Sequence, residues 1–411
     1  MKSVTDKKTL LFLFWMILFI IQNRLQQWCG IFQYVDELFA VLFFPLLVIR
    51  LAQKKRTVRW TKRMSLFWGL LLLFWMWGWG GYFCYHYQVF SNALKDSYLN
   101  LKFYLGIGAS FLLFYDEQTD FKQLKRRIWP VLNGITAILF VLCVVDSIFG
   151  IFSTETRGGM IAVKLFYDAY TVLVAQGVFL SALYLWFFEE KQKKIILPLG
   201  MLAFIMLSTR RAKSMGAIAC ILLIYVFVFY KKQKINKKLK MAIICFVGIA
   251  AVAGIYQVVS YYFLMGVESA RAVLTIGAPF LAWDHFPFGT GWATYGSAFS
   301  TEPYSPVYGM YRMAGVWGMS PDFHDFISDT YWPMLMGQCG YVGFAAFVGT
   351  LFLFVRKVLT LKNHKEIFAG VMLLVLYLFV SSSSESAFVN PIAVPFAFLI
   401  GFWFAEQELI G

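Results

Sequence analysis

Three cations crowd one short segment, Ser208-Thr209-Arg210-Arg211-Ala212-Lys213-Ser214, between two apolar runs. Packed so closely at the edge of apolar chain, they repel one another and lose hydration, costs that an anionic ligand such as a diphosphate would offset. The competing reading is that Arg210, Arg211 and Lys213 snorkel outward into water and lipid headgroups. A second set of polar residues opens at Arg271 and runs through Asp284-His285-Phe286-Pro287-Phe288-Gly289-Thr290-Gly291. It closes at His324-Asp325-Phe326-Ile327-Ser328-Asp329-Thr330-Tyr331-Trp332-Pro333. Pro287 with Gly289 and Gly291 permits a tight turn and close backbone approach, which would bring amides or aromatic faces to a sugar or phosphate. A purely structural turn would use the same residues. Asp329 stands before an apolar run, where a carboxylate also suits the N-terminus of a helix. Other chemistries find no support. Cys29, Cys84, Cys143, Cys220, Cys245 and Cys339 are scattered, with no Cys-x-x-Cys pair and no Cys/His cluster, so no metal is expected. No Walker loop, dinucleotide fingerprint or Gly-x-Ser-x-Gly elbow occurs, so no cofactor, nucleotide energy or serine hydrolysis is expected either.

The elements that must position these residues are membrane spans. Of the 411 residues, 60% are apolar and only 14% charged, against roughly 25% charged in a soluble chain, which excludes a soluble enzyme. The apolar residues suffice for roughly twelve spans of ~20 residues. Runs bounded by charged or turn-rich stretches place them at 9–28, 31–51, 64–84, 98–115, 128–149, 168–188, 194–208, 212–230, 241–263, 331–355, 367–383 and 389–405. The expectation is an all-α polytopic membrane protein, one integral membrane domain over residues 1–411. Lys2, Lys7 and Lys8 before the first run resemble the start of a signal peptide. Gln22, Asn23 and Arg24 follow instead of small cleavage-site residues, so the first span is read as uncleaved.

Of the 37 Lys and Arg residues, 27 fall on the N-terminus and on every second loop, which puts those surfaces and both termini on the cytoplasmic side. The net charge of +15 is then mostly a topology signal. Clusters such as Lys54-Lys55-Arg56 and Lys231-Lys232 are read as loops facing anionic lipid, not as nucleic-acid sites. The cations at 210–213 break the pattern by lying on the outer side. The longest loop, 264–330 between spans 9 and 10, is also outer. It is too long for a connector, and its Pro, Gly and aromatic residues suit an irregular cap with short helices, including an apolar helix from Arg271 to Trp283.

Four stretches occur in order on that outer side: Arg157-Gly158-Gly159-Met160, Ser208-Thr209-Arg210, Arg271 with Phe286-Pro287-Phe288-Gly289-Thr290-Gly291, and Asp329-Thr330-x-Trp332-Pro333 with Gly340-x-x-Gly343. In these and in the twelve-span plan the chain resembles the O-antigen polymerase and O-antigen ligase superfamily, membrane glycosyltransferases that act on polyprenyl-diphosphate glycans. The resemblance implies a GT-C-like fold in the bacterial cytoplasmic membrane, with part of the active site in the 264–330 loop. It also implies metal-independent transfer driven by a lipid diphosphate leaving group. Arg210 and Arg271 would grip the diphosphate, with Arg211, Lys213 and Arg157 in support, because a guanidinium fork offers paired donors to phosphate oxygens. His285, Pro287, Gly289, Gly291 and Trp332 would belong to the substrate loop. The acceptor hydroxyl needs a general base. Ligases of this superfamily carry a His-Asn pair eleven residues before the first Gly of the span-10 motif, and the residues eleven before Gly340 are Asp329-Thr330. Asp329 would thus stand in the histidine's place, and a carboxylate can serve an inverting sugar transfer. His324, five residues earlier, is the alternative base if the loop folds back. The departure points away from lipopolysaccharide ligase and towards the polymerase branch.

The expected function is polymerisation of a surface polysaccharide, capsular or O-antigen-like, by transfer of glycan from polyprenyl diphosphate to a lipid-linked repeat unit. Its partners would be that lipid-linked oligosaccharide and the bilayer, together with flippase and chain-length regulator proteins, and not nucleic acid. A ligase acting on another acceptor is the alternative within the class. A flippase or exporter of the same lipid-linked oligosaccharide would need charge near mid-bilayer on several spans, whereas Lys102 and Asp146 are read as close to span ends. A scaffold of a synthesis complex would not need the Arg210 and Arg271 arrangement.

Overall fold

Every apolar run reads into helix, because long apolar stretches have no water to satisfy their backbone and close their hydrogen bonds internally. The computed structural model describes residues 2–52, 61–191, 193–229 and 237–410. The basic clusters Lys54-Lys55-Arg56 and Lys231-Lys232 lie outside the described residues. The first half of the chain forms α1 (Lys2–Trp28), α2 (Val35–Val41), α3 (Phe43–Ala52), α4 (Lys62–Tyr85), α5 (Phe90–Phe114) and α6 (Phe121–Phe149). A small hairpin, β1 (Thr156–Arg157) and β2 (Met160–Ile161), leads to α7 (Tyr170–Trp186), α8 (Phe188–Lys191), α9 (Ile196–Ser208) and α10 (Ala212–Ile224). Then come α11 (Lys237–Val259), α12 (Ala270–Asp284), α13 (Pro306–Met310), α14 (Trp332–Thr360), α15 (Lys365–Ser381) and α16 (Ala393–Ile410). Helix α16 packs on α5, α14 on α4 and α15 on α7. The centre of the bundle is aromatic: Phe12 meets Phe402 at 4.7 Å and Phe398 at 5.1 Å between ring centres.

Among the described residues, five helices are long and apolar enough to cross a membrane: Lys62–Tyr85, Phe121–Phe149, Ala212–Phe229, Ile243–Leu264 and Trp332–Asn363. Two more apolar helices, Tyr170–Trp186 and Ile196–Ser208, are shorter. Helix α9 has 13 residues, a rise of ~20 Å against a hydrocarbon core of ~30 Å. The run at 31–51 is not one helix. It divides into a 3-10 turn at Gly30–Tyr34, α2 and α3, with Leu42 between the last two. Pro45 sits in the first turn of α3, where a missing N–H is tolerated, so the chain breaks just before it.

The sequence places Lys102 near a span end, and the structure corrects this. Helix α5 begins at Phe90, so Lys102 lies midway along it, fully buried. Its ammonium donates to Asp36 Oδ2 at 2.6 Å, while Gln22 Nε2 donates to Asp36 Oδ1 at 3.1 Å. Asp146 does lie in the last turn of α6, where it accepts from the Phe152 and Ser153 amides at 2.7 and 3.1 Å.

The 264–330 segment has a core of its own. Ala270, Leu274, Ala278 and Leu281 share one face of α12, as helical spacing requires, and pack with Tyr295, Val307, Tyr308, Met313, Met319 and Ile327. The buried carboxylate of Asp96 on α5 pins this cap to the bundle. It accepts from the Ala293 amide at 2.8 Å and from the Ser297 hydroxyl at 2.6 Å.

Candidate functional site

Two of the glycine motifs serve each other. Gly340 interrupts α14 with φ 61° and ψ −174°, a conformation open in practice only to glycine. A break of this kind frees carbonyls of the preceding turn. The loop fills them: the Thr290 amide donates to Gly337 O at 3.0 Å and the Gly291 amide to Gln338 O at 2.9 Å. The approach leaves no room for side chains. A Cβ on Gly289 would stand 2.3 Å from the Gly340 nitrogen, and one on Gly291 would stand 2.5 Å from the Tyr82 nitrogen. Pro287 O accepts from Trp77 Nε1 at 2.8 Å. Gly289, Gly291, Pro287 and Gly340 therefore lock the cap between α4 and α14, and their conformations are accounted for by that packing.

The cations gather where α9 turns into α10. Helix α9 ends at Ser208, and Arg210 takes the left-handed conformation (φ 54°) that lets α10 start at Ala212 with Arg211 as its N-cap. A non-glycine residue in this region is uncommon and is tolerated where surroundings hold it. Gly158 and Gly159, both at positive φ, form the two-residue turn of the β1–β2 hairpin. The hairpin is tied to the same place, since the Val163 amide donates to Ser208 O at 2.9 Å. Arg157 and Arg211 both lie over the ring of Tyr170, at 5.6 and 4.8 Å. Arg157 Nη2 also reaches Glu155 at 2.6 Å. A hydrogen bond from Tyr170, reinforced by Arg157, holds the Glu155 carboxyl below its ordinary range. Arg210 Nη2 donates to Met160 Sδ at 3.1 Å. The Arg211 Nε is buried without a hydrogen-bonding partner.

Two residues further along α10, Lys213 joins a second group. Its ammonium meets Glu385 at 2.8 Å, and Arg271 Nη2 meets Asp329 Oδ2 at 2.9 Å. Lys213, Glu385, Arg271 and Asp329 act on one another electrostatically. Burial raises the Asp329 carboxyl above its ordinary range, and Arg271 opposes that shift. Arg271 also lies 5.0 Å from the ring centre of Tyr261, and the Tyr262 hydroxyl donates to Ser383 O.

The structure thus brings Arg157, Arg210 and Arg211 together before α10, and Lys213, Arg271 and Asp329 together in a second group that begins two residues further along. It does not bring in the two histidines. His285 is buried, its Nδ1 3.0 Å from Leu281 O and its Nε2 3.3 Å from the Tyr87 hydroxyl. His324 Nδ1 lies 3.0 Å from Pro321 O, and no hydrogen bond joins it to Asp329 or Arg271 among the described residues. Asp329 does not cap α14, whose N-cap is Tyr331. Trp332 Nε1 donates to Ser382 Oγ at 3.1 Å and stacks on Phe379, joining the start of α14 to the end of α15. Sequence reasoning missed Glu385, Glu155 and Tyr170. Glu385 had a visible signal, the polar run Ser381-Ser382-Ser383-Ser384-Glu385-Ser386 in an apolar chain.

The fold and this site define a class: an all-α protein of membrane character with a folded cap and a cluster of paired cations and carboxylates beside it. No family model matches the chain, and no curated protein is similar to it.

Proposed function

We propose that the chain is a membrane glycosyltransferase that polymerises a surface polysaccharide. It transfers glycan from polyprenyl diphosphate to a lipid-linked repeat unit at the outer face of a bacterial cytoplasmic membrane. The reading takes the twelve-segment chain as a GT-C-like bundle with both termini inside and the 264–330 cap outside. The observation that carries it is the two cation groups that meet the start of α10, Arg157, Arg210 and Arg211 around Tyr170 and Glu155, and Lys213 and Arg271 against Glu385 and Asp329. In the first group three cations stand against one carboxylate, Glu155, an excess of two positive charges, while in the second Lys213 and Arg271 are balanced by Glu385 and Asp329. A diphosphate diester, with one negative charge on each phosphate group, matches that excess. Arg271 and Arg211, whose Nε has no hydrogen-bonding partner, are the donors suited to its oxygens, and they stabilise the charge that develops as the lipid diphosphate leaves. Asp329, held beside Arg271 with its carboxyl raised by burial, accepts the proton of the attacking hydroxyl. Arg157, Arg210 and Lys213 add field without direct chemistry.

The purified protein given lipid-linked repeat unit in detergent, without nucleotide or metal, should yield a ladder of lengthened glycans. Single transfer to a different acceptor would mean a ligase, and no transfer would overturn the reading. A second reading, translocation of the lipid-linked oligosaccharide, is favoured by one observation. Lys102 and Asp36 form a buried ion pair midway along α5, and ionisable groups at such depth often mark transport pathways. Flipping of fluorescent lipid-linked saccharide in liposomes containing only this protein would support it.

A further inference from the structure

Away from the cation cluster, the end of α1, the 3-10 turn after it and the start of α2 border a half-open recess of about 300 Å³, the lower end of the range for ligand clefts, ~300–1,000 Å³. Its lining is unlike the rest of this apolar chain. Gln22, Asn23 and Gln26 come from α1, Gln33 and Tyr34 from the turn, Glu37 from α2, and Asp168 from the segment before α7. Among the described residues no Lys or Arg lines it, so it does not suit a phosphate. Carboxamides that donate and accept, set among carboxylates that only accept, suit hydroxyl groups, each of which also donates and accepts. Tyr34, half exposed at the rim, adds an aromatic face. Glu37 meets Lys102 through Oε1 at 3.4 Å, but its Oε2 is buried and has no hydrogen-bonding partner, an unmet acceptor position that costs free energy unless a ligand or water meets it. The floor is rigid: Gln22 is held by Asp36, which is held by Lys102.

We propose that this cavity is a saccharide-binding subsite for the uncharged part of a glycan. The inference rests on the reading of the cation cluster as a diphosphate site, to which the cavity is joined by short stretches of chain. Asp168, which accepts from the Asn23 amide, is two residues from Tyr170, the ring that Arg157 and Arg211 flank. The other wall, Pro391, belongs to the same α15–α16 connection as Glu385. A lipid-linked glycan with its diphosphate at the cluster thus has a polar recess for its sugars beyond the Tyr170 side.

The test uses three probes on the full-length protein in detergent, read by titration calorimetry: lipid-linked repeat unit extracted from a host strain deleted for this protein, the oligosaccharide released from it by mild acid, and undecaprenyl diphosphate. Gln26→Ala and Asn23→Ala should weaken the first two about tenfold, the loss of a hydrogen bond or two, and leave undecaprenyl diphosphate unchanged. Arg271→Lys should do the reverse to the free oligosaccharide and undecaprenyl diphosphate. Gln26→Ala sits on a helix surface that tolerates alanine, so it remains decisive if Asn23→Ala fails to fold. Equal binding of the oligosaccharide by wild type and Gln26→Ala would overturn the subsite, as would weakening of undecaprenyl diphosphate by Gln26→Ala. Binding of undecaprenyl diphosphate without the oligosaccharide would remove the subsite and leave the diphosphate reading standing. Binding of the oligosaccharide alone, sensitive to Gln26→Ala, would keep the subsite and sink the diphosphate reading; binding of neither would overturn both.

Discussion

Replacing Asp329 by Asn separates a base from a structural carboxylate. Asp329 and Arg271 meet at 2.9 Å but are 29% and 22% exposed, and an ion pair that open to solvent contributes at most ~1 kcal/mol. Asn keeps an oxygen for the guanidinium, and because Tyr331 caps α14 no helix cap is lost. Expression and thermal stability should therefore survive. The proton acceptor is gone, so polymerisation should fall about 10²–10⁴-fold. His324→Gln, in a group apart from Arg271, should cost far less. The wild-type pH profile gives a second readout. Asp329 works deprotonated, so kcat/KM should fall as pH drops through its raised pKa, at a pH above the ordinary aspartate range. Arg271→Gln removes an influence that lowers that pKa, so what activity remains should show its acid limb at still higher pH; Lys213 and Glu385, the other charges facing Asp329, are unchanged in this variant. The assay is the time course of ladder formation from lipid-linked repeat unit across pH. Normal polymerisation by Asp329→Asn with a dead His324→Gln would make the imidazole the base. Activity in both would place proton removal elsewhere.

Arg271→Lys should remain badly impaired in the same assay, because an ammonium cannot reproduce the paired donors of a guanidinium, whereas Arg210→Lys, which keeps the charge, should cost little; a near-normal rate for Arg271→Lys would leave it only a general electrostatic role. Gly340→Ala and Gly289→Ala should each destabilise the protein by at least ~1–3 kcal/mol from backbone conformation alone, with backbone collisions added. Detergent thermal-shift measurements would show this, and unchanged melting would mean that the cap is not locked to α14. Lys102→Met leaves Asp36 buried and unpaired and should cost ~3–5 kcal/mol, while the double variant with Asp36→Leu should recover much of it. Full glycan synthesis by the double variant would make the pair structural and remove the observation that favours transport.

The helices were legible because an apolar run in lipid has one way to satisfy its backbone. What sequence alone could not place were the breaks. Leu42 carries no mark of a helix end, and the early start of α5 at Phe90 is hidden because Ser91, Asn92, Lys95 and Asp96 make its first turns polar. Two of them, Asn92 and Asp96, are buried against the cap, so they serve the fold where hydropathy predicts a loop. The cations were visible as charges in an unexpected place. Their carboxylate partners were not, since Glu385 lies 172 positions from Lys213 and only tertiary structure joins them. The glycine motifs were seen but their use was open: Gly289 and Gly291 need Gly340, and spacing cannot reveal which backbone they approach.

The pairing of cations with carboxylates bears on how a diphosphate would enter the proposed site. Arg271 has one guanidinium fork, and Asp329 occupies part of it. A diphosphate that takes the fork displaces Asp329, which then loses the neighbour that lowers its pKa and becomes the stronger base only when donor is bound. On the proposed reading, the proton acceptor would be switched on by the substrate that needs it. If this competition operates, Asp329→Asn, which weakens the hold on Arg271, should bind undecaprenyl diphosphate more tightly than wild type while catalysing less. Glu385→Gln, which frees Lys213 at 2.8 Å from the lost charge, should also bind it more tightly but retain its base. Titration of both variants with undecaprenyl diphosphate at low and moderate salt distinguishes this from simple positioning. Weaker binding by Asp329→Asn would show that the carboxylate holds Arg271 in place for the diphosphate and does not compete with it.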